Sequence, residues 1–390
     1  MAFSYRSLLA VAATLPLALV VACGTVADHG GTAARTTGDA SAGSGDASSI
    51  PTSPATARIT LAETGSTLLY PLFQTWASAY HQQFSAVTIT TAGTGSSTGI
   101  DDAAAGKVEF GASDAFLSSG NLVQNPGLLN LPLAISAQEV DYNVPDVPAG
   151  THIKLTGTVL AQIYQGLITR WNDHAITSLN PGVPLSGTPI VLLRRAQTVA
   201  SPGSGDTFLF TSYLSATDQA WSKTIGYGTA VAWPAVPGEL SEPSNSEMVS
   251  TCEATRGCIA YIGISALPTV AGSGLGEAAI ANAAGSYVLP DPATVSSTVN
   301  GFLSAIPDNE TISMVNGPTS TASPGYPIVN FEYAIVSRDQ PDATKAEDIK
   351  AFLHWAITTG NERKFLGPVG FQPLPASVIT LTDDQIARIG

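Results

Sequence analysis

The chain has 390 residues, a formal net charge of -14, and only 12% Asp, Glu, Lys and Arg. Its acidity excludes nucleic-acid binding as the main task, because a duplex is held by a basic surface. The length is ample for two domains, and an acidic ligand would have to be held by local dipoles and hydrogen bonds against the global field.

Residues 1–23 have the form of an export signal: Arg6 is the only positive side chain, an apolar run from Leu8 to Val21 follows, and Ala22 and Cys23 are small. The segment Val20-Val21-Ala22-Cys23 resembles a lipobox, in which the Cys23 thiol takes a diacylglyceride and becomes the mature N-terminus. Two acyl chains suffice for stable anchoring. The alternative is an ordinary secretory signal with an incidental cysteine. Beyond residue 23 no apolar run is long enough to span a bilayer, so the mature chain is expected to be exported and held on the outer face of the cell membrane. Gly24 to about Ala57 is Gly, Ala, Ser, Thr and Asp with few bulky apolar residues. Such a composition predicts a flexible tether, with the folded part starting near Arg58.

From there short β-like runs alternate with helical patterns, the signature of α/β units. Ala57–Ala62 predicts a strand, and Leu69, Leu72, Phe73, Trp76, Tyr80 and Phe84 recur at helical spacing. Val87–Thr91 and Val108–Ala112 predict strands, Val159 to Tyr164 a helix, Ile190–Leu193 a buried strand, and Phe208–Leu214 a helix. Ile328–Val336 predicts a long strand and Lys345–Thr358 an amphipathic helix. Thr382 with Gln385 fits a capping box opening a short final helix. Cys252 and Cys258, in an oxidising compartment, suit a short-loop disulfide, worth roughly 2 kcal/mol by chain entropy. Two thiols with no His nearby are too few for a metal site.

Four polar clusters stand at predicted strand–helix junctions: Glu63-Thr64-Gly65-Ser66-Thr67-Leu68, Gly93 to Gly99, Gly111-Ala112-Ser113-Asp114, and Gly203-Ser204-Gly205-Asp206-Thr207 with Arg194-Arg195 upstream. Any one of them is an ordinary cap or turn. Together they offer backbone N–H groups and hydroxyls for an anion without a metal, at the strand ends where open α/β sheets bind ligands. One guanidinium would add a bidentate contact. A carboxylate facing an anion makes sense only if the anion carries a proton to donate. Asp114 would thus admit phosphate, protonated at neutral pH, and reject sulfate, with Asp206 as a second such acceptor. The plainer alternatives are that Asp114 caps a helix beginning at Ala115 and Asp206 one beginning at Phe208.

In this order the clusters resemble the phosphate-binding protein of the bacterial Pst ABC importer, in its lipoprotein branch. The resemblance runs from Ile59 to the C-terminal region and includes Tyr70-Pro71, Tyr326-Pro327-Ile328-Val329-Asn330-Phe331-Glu332-Tyr333-Ala334-Ile335 and Phe371 to Pro375. It implies a two-lobed α/β periplasmic-binding-protein fold, class II-like, with two hinge strands and the ligand cleft between lobes. Lobe I would comprise residues 58–135 and 326–390, and lobe II residues 136–325. By position, Ser66, Thr67 and Leu68 would offer hydroxyl or backbone donors, and Ser96 its hydroxyl and amide. Asp114 would accept the ligand's proton, Ser204 and Gly205 would donate from a helix start, and Asp206 stands where relatives have Thr or Asp. The stretch Gln197–Pro202 lengthens the turn after the ligand-binding arginine, so Arg195 is the candidate and Arg194 the fallback. The implied partners are inorganic phosphate and the permease subunits of an importer with its cytoplasmic ATPase subunit; no cofactor is implied.

Two rival activities have some footing. Gly95-Ser96-Ser97-Thr98-Gly99 fits a nucleophile elbow, but Ser97 would need His152, His174 or His354 as base, and none lies in a companion motif. Gly106-Lys107 lacks the spacing of a P-loop. A receptor for sulfate or molybdate is the other reading, which the carboxylate argument disfavours. The tether also permits a purely adhesive surface role, which no residue demands.

Overall fold

The computed structural model describes residues 50–55, 58–199 and 202–390. The signal segment, Cys23 and most of the expected tether lie outside the described residues. Within residues 50–55, Ile50 packs on the core and the Ala55 amide donates to Asp348 Oδ1 at 2.7 Å, so contact with the folded body begins ahead of Arg58.

The strands in chain order are β1 (Ile59–Gly65), β2 (Val87–Thr90), β3 (Phe110–Ser113), β4 (Leu128–Tyr142), β5 (Lys154–Leu155), β6 (Val191–Arg195), β7 (Leu240–Glu242), β8 (Cys258–Gly263), β9 (Gly276–Glu277), β10 (Ala279–Ala281), β11 (Tyr287–Val288) and β12 (Val329–Ser337). The first six helices are α1 (Tyr70–Gln83), α2 (Ser96–Ala104), α3 (Ser119–Gln124), α4 (Gly157–Tyr164), α5 (His174–Thr177) and α6 (Gly205–Thr217).

Two parallel groups, β2-β1-β3 and β8-β6-β7, are joined through the antiparallel pair β12-β4. Strand β4 makes the join. Its residues up to Ala137 pair with β12, whereas Gln138–Tyr142 pair with β8. At the exchange the Gln138 amide donates to Ile328 O at 3.1 Å, and the Tyr326 hydroxyl donates to Gln138 O at 2.7 Å. The two chain segments that cross between the strand groups are therefore tied side by side. This is the mixed α/β, two-lobed periplasmic-binding-protein fold.

Each side has its own aromatic packing. On α1, Leu72, Phe73, Trp76 and Tyr80 are wholly buried, each contributing about 1.5–3 kcal/mol by apolar burial. Tyr80 meets Phe352 and Trp355 of the helix Ala343–Ile357, both with ring centroids 5.2 Å away. On the other side Phe210 of α6 stacks on Tyr261 of β8 at 4.5 Å. The expected disulfide is formed: Cys252, on the helix Asn245–Ala254, is bonded to Cys258 at the start of β8.

Two expectations need correction. The last helix is not short and does not open at Thr382: it runs Ala376–Ile386 after Pro375. Thr382 and Gln385 sit within it and donate to the buried Glu310 carboxylate at 2.8 and 3.2 Å. A buried carboxylate takes the polar side chains that the capping pattern assigned to a helix start. The longest strand, β4, was also unanticipated, because Asn130 and Pro132 interrupt its apolar run. Pro132 stands at the irregularity in the β4–β12 ladder, facing Tyr333, where a missing N–H does least harm.

Several carboxyls are buried without a cation. Burial pushes Glu63 and Glu310 up from 4.5 to about 8. Burial, then the repulsion among Glu139, Asp141 and Glu277, raises Glu139 and Asp141 well above the usual range. Between pH 4.5 and 8 the unfolded chain has released these protons and the folded chain still holds them, so stability contributed by these groups is complete in acid and falls as pH rises. Thermal unfolding is expected to show a higher midpoint at pH 5 than at pH 8; a midpoint climbing over that interval would contradict this.

Candidate functional site

Three of the polar clusters meet on the β2-β1-β3 side. Gly65 ends β1 at φ 143, where an added Cβ would lie 2.0 Å from Ala112 O. Only glycine lets β1 pass so close to β3, and the Ser66 amide then donates to Ala112 O at 2.9 Å. The Ser66 hydroxyl accepts from the amides of Leu68 and Leu69 at 3.0 and 3.1 Å, covering the start of α1, and donates to Asp114 Oδ1. Gly95, at φ 97, caps α2 and turns Ser96 into its first position. There the Ser96 hydroxyl accepts from the Asp114 amide at 3.2 Å. Asp114 follows β3 directly and is 1% exposed. No helix begins at Ala115: α3 starts at Ser119 and is capped by Ser118.

The fourth cluster comes from the other side. Ser204 is the N-cap residue of α6 in an extended conformation, and its side chain makes no capping bond. Asp206 lies inside the first helical turn instead of capping a helix at Phe208. Its Oδ2 pairs with Arg195 Nη1 and accepts from Asn245 Nδ2 at 3.1 Å. Gln138 Nε2, at the exchange point of β4, donates to Asp206 O at 3.0 Å. Arg195 ends β6, is 1% exposed, and also donates to Pro243 O. Arg194 points away and pairs with Glu239 at 2.8 Å. Of the two candidates, Arg195 and not Arg194 therefore stands beside Asp206.

The two sides touch at Gly205. A Cβ there would lie 2.1 Å from Asp114 Oδ2, so the start of α6 lies directly against the Asp114 carboxyl. Leu68 is wholly buried; its side chain and Asp206 both lie against Gly263. Asn245 Nδ2 reaches Thr67 Oγ1 at 3.5 Å. Ser66, Thr67, Leu68, Ser96, Asp114, Arg195, Ser204, Gly205 and Asp206 thus gather at one enclosed place. Cavities of about 360 and 440 Å³ flank it, one lined by Ser97, Phe116 and Thr229, the other by Thr67, Tyr70 and Asn245.

The charges at this place are unbalanced. Burial, then the neighbouring Asp206, pushes Asp114 up from 3.8 to about 7 against the opposing effects of Glu332, Ser66 and Arg195. Asp206 is raised by burial in spite of Arg195. Helix starts present N–H groups with no intrahelical acceptor. Two such starts, several hydroxyls and one guanidinium suit a small tetrahedral anion, and the acceptor Asp114 suits one that carries a proton. Among the described residues no group of three or more His, Cys, Asp or Glu is arranged to hold a metal ion.

Ser97 donates its hydroxyl to Thr229 Oγ1 at 2.9 Å. His152 Nδ1 contacts Glu277 O at 2.9 Å, His354 Nδ1 contacts Asp383 at 2.8 Å, and His174 opens α5.

Sequence reasoning assigned no role to Glu332, Asn330, Ser136, Gln138 or Asn245, all buried at this place. A signal was present: Asn330 and Glu332 sit two apart in an otherwise apolar strand. That spacing puts both on one face of a strand whose neighbours leave no solvent side.

The model of the PBP superfamily domain matches residues 50–359. The phosphate-binding protein PstS of Pasteurella multocida is 30% identical over 324 residues, spanning 82% of this chain and 88% of that protein. PstS of Xylella fastidiosa is 29% identical over 329 residues, spanning 84% and 85%. Among solved structures, the phosphate-binding protein of Stenotrophomonas maltophilia aligns with a TM-score of 0.61 at 17% identity, covering 84% of this chain and 93% of that one. By sequence and by fold, the chain belongs to the PBP superfamily and, within it, to the PstS family of phosphate-binding proteins.

Proposed function

We propose that this protein captures inorganic phosphate outside the membrane and delivers it to the permease subunits of an ABC importer driven by a cytoplasmic ATPase. The observation that carries the reading is the meeting of Asp114 with Ser66, Ser96 and Gly205 in a buried site that also holds Arg195. Ser66, Thr67, Leu68 and Ser96 donate from one side, Ser204, Gly205 and Arg195 from the other, and Asp114 accepts the ligand's proton. Asp206 holds Arg195. The lobes are residues 58–135 with 326–390, and 136–325. They close about the anion by bending where β4 changes partner, between Ala137 and Gln138. No bond in the ligand is made or broken. The protein is held at the membrane through lipidated Cys23, a reading that rests on the Val20-Val21-Ala22-Cys23 sequence.

Equilibrium dialysis of the delipidated protein against labelled phosphate tests the capture. One phosphate per chain is expected, and no retention would sink the reading. Cys23→Ser should abolish labelling by palmitate in the producing cell; undiminished labelling would refute the anchor.

A further inference from the structure

The site holds three carboxyl groups, on Asp114, Asp206 and Glu332, against the single guanidinium of Arg195. Asp206 is matched by Arg195. The other two, Asp114 and Glu332, have no such partner. Glu332 is wholly buried on β12, and the break in register between Glu332 and Tyr333 leaves it on the same face as Asn330, whose partner across the ladder is Ser136. Asn330 Nδ2 donates to the Asp114 carbonyl, so this face of β12 is what the Asp114 loop rests on. Glu332 Oε1 accepts from the Ser136 hydroxyl, while Oε2 has no conventional donor. The neighbouring acid is Asp114, whose backbone is held by Asn330 on this same face and whose charge opposes ionisation of Glu332. Two buried carboxyls so placed do not both ionise, and a proton remains with the pair.

Which of them holds it follows from their surroundings. Asp114 receives a hydrogen bond from Ser66 and feels the attraction of Arg195. Glu332 has only Ser136 in its favour and is repelled by both Asp114 and Asp206. The remaining ionisable neighbours are Tyr333, beside it on β12, and Tyr261 on β8, which reaches the pair only by way of Asp206 and Arg195. Gln138 and Ser136, from β4, bring no charge.

We propose that Glu332 is a specificity-determining positioning residue: it stays protonated, donates its hydrogen to Asp114, and thereby keeps Asp114 an ionised acceptor that admits a protonated oxyanion and refuses sulfate. The inference rests on the phosphate reading above. It adds that discrimination is set by a residue that does not itself touch the anion, and that it breaks down in acid, once Asp114 too becomes neutral.

The test is competition by sulfate against labelled phosphate between pH 5 and 9, in the parent, Glu332→Leu, Glu332→Gln and Ser136→Ala. In Glu332→Leu the acceptor loses a charge-assisted hydrogen bond, so the pH at which sulfate begins to compete should rise by about one to two units. Glu332→Gln, whose amide still donates, should move it least. Ser136→Ala, which loosens Glu332 without emptying the site, should move it upward by less than Leu does and covers the case in which Glu332→Leu does not fold. A merely structural role would weaken both anions in parallel and leave the onset where it was. That result, or equal shifts in Leu and Gln, would overturn the proposal while leaving phosphate capture intact. A parent that binds no phosphate at any pH would instead remove the functional reading itself.

Discussion

Arg195→Met is expected to weaken phosphate binding at least about 100-fold and to lower stability by about 3–5 kcal/mol. Arg195 is 1% exposed and its guanidinium is divided between Asp206 and the Pro243 carbonyl. Removing it takes away the planar donor suited to two oxygens of a tetrahedral anion. It also leaves Asp206 buried with no countercharge, and an uncompensated buried charge accounts for most of the stability loss. Arg195→Lys keeps the charge without the fork and should recover much of the stability and little of the affinity. Arg194→Met provides the contrast. Its partner Glu239 is partly exposed, so a change within about 1 kcal/mol is expected. Calorimetric titration and thermal unfolding of the three variants check this. Phosphate affinity retained in Arg195→Met, or lost equally in Arg194→Met, would show that the wrong arginine has been assigned.

Asp114→Asn carries the second large effect, and it concerns selectivity more than affinity. In the parent above neutral pH, sulfate would bring unpaired negative charge against an ionised, buried acceptor. Asn is isosteric and neutral, so that repulsion disappears and its amide can donate to an unprotonated oxygen. Sulfate affinity should rise by about 100-fold or more, as expected when a buried like-charge clash is relieved. Phosphate should bind more weakly, because its own proton then meets a poorer acceptor. The variant should also be at least as stable as the parent, since Asp114 is raised to about 7 by burial and by Asp206. Unfolding and paired anion titrations at pH 8 would decide it. An Asn variant that still ignores sulfate would mean that size or hydration, and not the carboxylate, sorts the anions.

What the sequence disclosed, and what it hid, follows from how local each signal is. Glycines such as Gly65 and Gly95, hydroxyls before helices, and a lone Asp after a strand are short-range patterns, so the nine clustered residues were visible as candidates. Helix α1 was legible from its aromatic stripe for the same reason. The meeting of Gly205 with Asp114 was not, because it depends on how two distant chain segments fold against each other. Strand β4 escaped because Asn130, Pro132, Ser136 and Gln138 break its apolar run, and each does so for a reason of tertiary structure. Asn130 accepts from the Leu117 amide, Pro132 sits at the ladder's irregularity, and Ser136 and Gln138 serve the buried site. Thr382 and Gln385 misled in the same way: their partner, Glu310, is remote in sequence and local in space. Polar residues in a strand buried on both faces are better taken as signs of a site than as evidence against a strand.

The architecture also explains how a molecule of net charge -14 could hold an anion. In the proposed reading the donors are backbone amides and hydroxyls at helix starts and one internal guanidinium, buried away from the surface charge. Gln138 stands where β4 exchanges partners and donates to Asp206. Under the proposed mechanism, closing the lobes at that point would also complete the anion site.

Successive calorimetric titration of one delipidated sample at pH 8, first with sulfate and then with phosphate, bears most directly on the claim that a buried carboxylate sorts anions by the hydrogen they carry. Heat and a single stoichiometric site are expected for phosphate after a silent response to sulfate. Sulfate filling the same site with matching affinity would contradict it.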